Sequence, residues 1–142
     1  DSEFCFVGDG FVSMLMPDGK ENGNIHENYC FFQVNNKWYV LTTDYRPDVH
    51  SPYIYRMAGS GKCDEDWLLW VGGRQLQIPQ ELFNTDHIAN AASISVLSPF
   101  DPHWYLIYAG RTEGESHARR GNNKLGLARS RDLVNWSIPG QD

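Results

Sequence analysis

The sequence predicts an all-β protein built from repeated four-stranded units, and three observations carry the prediction. Short apolar runs alternate with Gly, Pro and Asn punctuation, as chains with many strands and turns require. Aromatic residues make up 13% of the 142 residues, enough with 41% hydrophobic content to fill a core between sheets. The string Trp38-Tyr39-Val40-Leu41 recurs as Trp104-Tyr105-Leu106-Ile107, and other landmarks follow in the same order.

Those landmarks define the units. Arg46 is matched by Arg111, His50 by His117, Tyr53-Ile54-Tyr55-Arg56 by the segment ending at Arg129, and Trp70 by Trp136, and each unit closes on Ile-Pro at 78–79 and 138–139. Strands are expected near 28–34, 37–43, 52–57 and 67–71, then 91–97, 103–109, 124–129 and from about 136. Asn35-Asn36 suits a two-residue hairpin turn because Asn tolerates positive φ. Helical signal is limited to single turns at Pro79–Phe83 and Arg131–Leu133. Four strands per repeat describe a β-propeller blade. On that reading residues 26–79 and 80–142 are two blades. Residues 1–25, with the apolar stretch from Phe11 to Met16 ended by Pro17-Asp18-Gly19, are the end of a preceding one. Two and a half blades do not close a ring, so the remainder is expected from the same polypeptide or by self-association.

Charge excludes some functions. A net charge of -6 opposes a polyanion partner, and the basic cluster of Arg119, Arg120, Lys124, Arg129 and Arg131 reads as a solvated loop and strand edge, so no nucleic acid is expected. No run is long and apolar enough to span a bilayer, and no membrane partner is expected. A leader removed ahead of Asp1 would leave this same sequence, and the expectation is a secreted or periplasmic protein rather than a cytoplasmic one. Cys5, Cys30 and Cys63 lack metal-type spacing, as do the His pairs, and no Gly-rich loop precedes a helix. No metal site and no cofactor are expected.

The string Lys124-Leu125-Gly126-Leu127-Ala128-Arg129-Ser130-Arg131-Asp132-Leu133-Val134-Asn135-Trp136 resembles the blade signature of five-bladed propeller glycoside hydrolases, in which a strand reading roughly GLARS precedes DLxxW. That group includes arabinanases, xylosidases, invertase-like fructosidases and the related mannoside phosphorylases. Asp64 to Trp70 looks like a looser copy. His26-Glu27-Asn28-Tyr29, followed by Trp38-Tyr39, resembles the start of the third blade in the arabinanase and xylosidase group, where the catalytic Glu stands about ten residues before an aromatic pair. The resemblance implies a five-bladed ring, an oligo- or polysaccharide substrate, and Glu27 as general acid. In that group the base and pKa-tuning carboxylates come from the first two blades.

The remaining candidates follow from position and type. Asp44, after the second strand of its unit, is a second carboxylate for the channel, or else pairs with Arg46 to hold its loop. His26 and Asn28 flank Glu27 and, with Arg46, are candidates to bind substrate. His87 and Asn90 open the inner strand of the second unit and suit sugar hydroxyls or the orientation of Glu27. Arg111 and His117, on a long loop with Arg119, would hold phosphate in a phosphorylase. A non-catalytic carbohydrate-binding or scaffold module is the competing class, since one fold serves both.

Overall fold

A computed structural model describes residues 11–46, 49–80, 83–85, 88–95, 100–115 and 123–140. The protein is all-β, and its larger sheet curls into a half-barrel. Among the described residues eight strands form two sheets: β1 (Ser13–Met14), β2 (Ile25–Val34), β3 (Lys37–Arg46), β4 (Val49–Met57), β5 (Leu69–Gln75), β6 (Ile88–Ser95), β7 (Trp104–Gly110) and β8 (Lys124–Ser130). The first sheet runs β1-β5-β4-β3-β2 and the second β6-β7-β8.

Within the first sheet β2 to β5 form an antiparallel meander. The β2–β3 turn is the expected one, with φ of 49° at Asn35 and 62° at Asn36 and Val34 paired to Lys37. β1 pairs parallel to β5 inside the first sheet. The amide of Leu15 donates to the Trp70 carbonyl at 2.8 Å, and a turn with Gly19 at φ 80° follows. β5 begins later than expected. Asp66 accepts from the Ser60 amide and hydroxyl and from the Lys62 amide, which winds Asp64–Leu68 into a 3-10 helix. Residues 131–134 form a bend in place of a helical turn: Asp132 accepts from the amides of Val134 and Asn135 and Ser130 from that of Leu133, and these side chains replace the helical backbone bonds.

The register of the two sheets repeats. Tyr39 pairs with Arg56 as Tyr105 pairs with Arg129, and Leu41 with Ile54 as Ile107 with Leu127. A segment before each meander bridges parallel to its last part, Met14 to Trp70 and Gln77 to Asn135. In the second sheet the fourth element near 136 is a stub, bridged from Ser137 to Arg129. The interface between the sheets is one apolar cluster: Phe32, Leu41 and Ile54 from the first face Leu106, Tyr108, Ala128 and Trp136 of the second, with Leu76 and Ile78 between them. Each such fully buried side chain contributes about 1.5–3 kcal/mol.

Gly126 is required by this packing. A Cβ there would stand 2.4 Å from the ring of Tyr108, which is fully buried. Gly126→Ala is therefore expected to destabilise the fold by about 1–3 kcal/mol, read as a lower urea midpoint at unchanged slope. An unchanged midpoint would show that the ring shifts freely.

Candidate functional site

The start of β2 and the end of β3 carry most of the predicted residues. His26 lies opposite Asp44 and Glu27 opposite Thr43. Opposed residues in an antiparallel pair share a face and neighbours in sequence alternate, so His26 and Asp44 occupy one face and Glu27 the other. A bulge follows at once, with Asn28 at φ 58°. The Thr42 hydroxyl closes it by donating to the Glu27 carbonyl at 2.9 Å.

Glu27 is exposed. Its Oε1 accepts from the Tyr45 hydroxyl and, at 3.3 Å, from Asn28 Nδ2. Tyr45, which the sequence reading did not select, shares the Glu27 face and packs tilted against His50 with ring centroids 3.9 Å apart. The hydrogen bond to Glu27, with burial and the carboxylate's charge adding to it, pushes the Tyr45 phenol up to about 12. The bonded form is the neutral phenol, so its stabilisation is complete below the ordinary tyrosine value near 10 and is lost as pH rises through about 12. Absorbance titration is expected to show a late Tyr45 phenolate in the wild type, beside the raised Tyr29, Tyr105 and Tyr108, that becomes earlier in Glu27→Ala. Coincident titrations would remove the Tyr45–Glu27 bond from the site.

The opposite face is closed and polar. Asp44 is fully buried, and its Oδ2 accepts from Asn22 Nδ2 at 2.8 Å and Asn24 Nδ2 at 3.4 Å. Asn22 also donates to the Tyr55 hydroxyl at 2.7 Å. His26 lies edge-on to the Tyr55 ring, 5.8 Å between centroids. Burial lowers its pKa, and the Asp44 charge and the Asn22 backbone offset this in part. Asp44 thus anchors the segment that leads into β2 and does not share a face with Glu27. Asn22 was missed, yet a signal existed: Asn84 stands just ahead of β6, as Asn22 stands ahead of β2, and bonds the Tyr108 hydroxyl at 3.3 Å as Asn22 bonds Tyr55.

The other candidates are spread more widely. Arg111 follows β7 at the sheet end where β6 begins. Arg46 and Asn90 lie in β3 and β6, and their side chains fall outside the described part. His87 and His117 lie outside the described residues. Among the described residues no group of three or more His, Cys, Asp or Glu is placed to hold a metal, Cys30 and Cys63 are free thiols, and no helix is long and apolar enough to cross a membrane.

No family model, curated protein or solved structure matches the chain.

The arrangement can present a carboxyl group from a fixed support. One oxygen of Glu27 is held by a phenol and an amide, while Oε2 has no hydrogen-bond partner among the described residues. Such a group is oriented to give or accept a proton at an exposed strand start.

Proposed function

We propose that this chain is part of a β-propeller that acts on glycosidic bonds of oligo- or polysaccharides, with Glu27 as general acid. The observation that carries the reading is the Glu27 carboxyl, raised on a bulge, steered through Oε1 by Tyr45 and Asn28, with Oε2 open to a ligand. In the reaction the protonated carboxyl passes its proton to the glycosidic oxygen as the bond from that oxygen to the sugar carbon breaks. A second carboxylate about 5–10 Å away activates water or attacks that carbon. The repeated register and the parallel bridges support a ring of such units. So does the second sheet's outer face: Ile107 and Leu127 hold the positions of Leu41 and Ile54, yet they are 36% and 42% exposed where those are 0% and 7%. A further unit, from the same polypeptide or a second copy, would cover them.

One observation favours a non-catalytic carbohydrate-binding module. Among the described residues no hydrogen bond joins a second carboxylate to the Glu27 side chain, and Asp44 is committed to the opposite face. In the catalytic reading the partner carboxylate belongs to a neighbouring unit. The deciding experiment offers the fully assembled protein a panel of arabino-, xylo-, fructo- and manno-oligosaccharides with and without inorganic phosphate. Product without phosphate supports hydrolysis. Product only with phosphate makes the protein a phosphorylase, in which Arg111 and His117 are the residues to test. Binding without product leaves the module.

A further inference from the structure

A cleft of about 640 Å³ opens between the two sheets at the opposite end of β2 from Glu27. From Glu27 to Val34 the strand spans roughly 20 Å, so this cleft is separate from the site above. Its lining includes Tyr39, Arg56, Arg74, Trp104, Arg131 and Asp132.

Three arginines line it in a protein of net charge -6. Among the described residues no carboxylate pairs with the half-buried Arg56 or the exposed Arg74, so both keep their charge available to a ligand. Register holds both on the face that looks toward the second sheet: Arg56 stands opposite Val71 and Arg74 opposite Ile54. Arg131 is braced from behind. Its Nε donates to His103 Nε2 at 3.0 Å, which leaves the other ring nitrogen, Nδ1–H, to donate to Asp101 Oδ1 at 2.7 Å. The Tyr105 hydroxyl holds the second oxygen of Asp101 at 2.6 Å. The Nη groups of Arg131 are thereby left for another partner.

The acid in the lining, Asp132, offsets one of the three positive charges but forms no ion pair with these arginines among the described residues. Asp132 spends its oxygens on the Ser130 hydroxyl at 3.0 Å, the amides of Val134 and Asn135 at 2.9 and 2.8 Å, and Asn135 Nδ2 at 2.8 Å. Those bonds hold it well below the ordinary carboxylate range, so it stays ionised and shapes the turn that carries Arg131. Trp104 and Tyr39 bring aromatic surface to the same space, each packed against Phe32 at 5.5 and 5.6 Å between centroids.

We propose that this cleft binds an acidic saccharide, with Arg56, Arg74 and Arg131 receiving a carboxylate and Trp104 and Tyr39 receiving the sugar ring. A guanidinium fork matches a planar carboxylate in a bidentate way, and aromatic faces suit the apolar side of a pyranose. The same chemistry would serve an isolated oxyanion, so the test separates the two.

Tryptophan fluorescence and calorimetry on the whole protein, with galacturonic acid trisaccharide, a neutral trisaccharide of the same ring count and inorganic phosphate as probes, decide it. The acidic trisaccharide is expected to bind, more weakly at high salt, and the neutral one at least about tenfold less well. Arg56→Gln with Arg74→Gln is expected to lower acidic-trisaccharide affinity by about tenfold or more at an unchanged melting temperature. If that pair unfolds the protein, Arg131→Gln supplies the same readout from the turn. Equal affinity for the neutral sugar, phosphate binding as tight as the trisaccharide, full affinity in the Arg variants or no binding at all would each overturn the proposal. Glu27→Gln is expected to leave this binding intact, so failure here does not touch the reading of Glu27.

Discussion

Glu27→Gln is expected to lower turnover of an unactivated glycoside by at least about 100-fold while leaving substrate affinity nearly unchanged. The amide keeps the shape of the side chain and an oxygen that accepts from the Tyr45 hydroxyl, so the bulge and its support persist. What it lacks is a proton acidic enough to pass to the leaving oxygen. The loss therefore depends on the leaving group. A substrate whose leaving group departs readily as an anion needs little protonation, and with it the variant is expected to recover most of its rate. Equal losses on both substrates would point to disturbed binding rather than a missing acid. Unchanged turnover on the unactivated substrate, with the fold intact by circular dichroism, would end the assignment of Glu27.

Leu41→Ala is expected to cost about 3 kcal/mol of stability, within the 2–5 kcal/mol usual for a fully buried leucine. Its counterpart in the repeat, Ile107→Ala, is expected to cost under about 1 kcal/mol in the chain studied alone. The side chains are of one size and stand at equivalent register positions, Leu41 opposite Ile54 and Ile107 opposite Leu127. The difference is cover: the second sheet lies over Leu41, which is 0% exposed, whereas Ile107 is 36% exposed. Urea midpoints of the two variants measure it directly. In an assembly where a further unit covers the second sheet, the cost at Ile107 is expected to rise to that at Leu41. Small and equal costs for both would mean that contact between the sheets does not bury Leu41.

Both predictions rest on a division between local and long-range information. Strand content, the Asn35-Asn36 turn and the repeat that sets Tyr39 against Tyr105 and Arg56 against Arg129 were legible in the sequence. They follow from side-chain alternation and from turn chemistry that acts over two to four residues. The close seat of the Tyr108 ring on Gly126 was not legible.

Tertiary structure alone decided the layout of the site. In a strand, one step along the chain moves a side chain to the other face, so whether Glu27 and Asp44 meet depends on the register of β2 against β3. Neither strand states that register in its own sequence. It is set by Val34 and Lys37 closing the hairpin, by the bulge at Asn28 and by the burial of Asn22 against Asp44 and Tyr55. The parallel seat of β1 beside β5 and the convergence of Arg56, Arg74 and Arg131 on one cleft are of the same kind. They join residues far apart in the chain, where the geometry comes from how two sheets pack and not from any pattern within one segment.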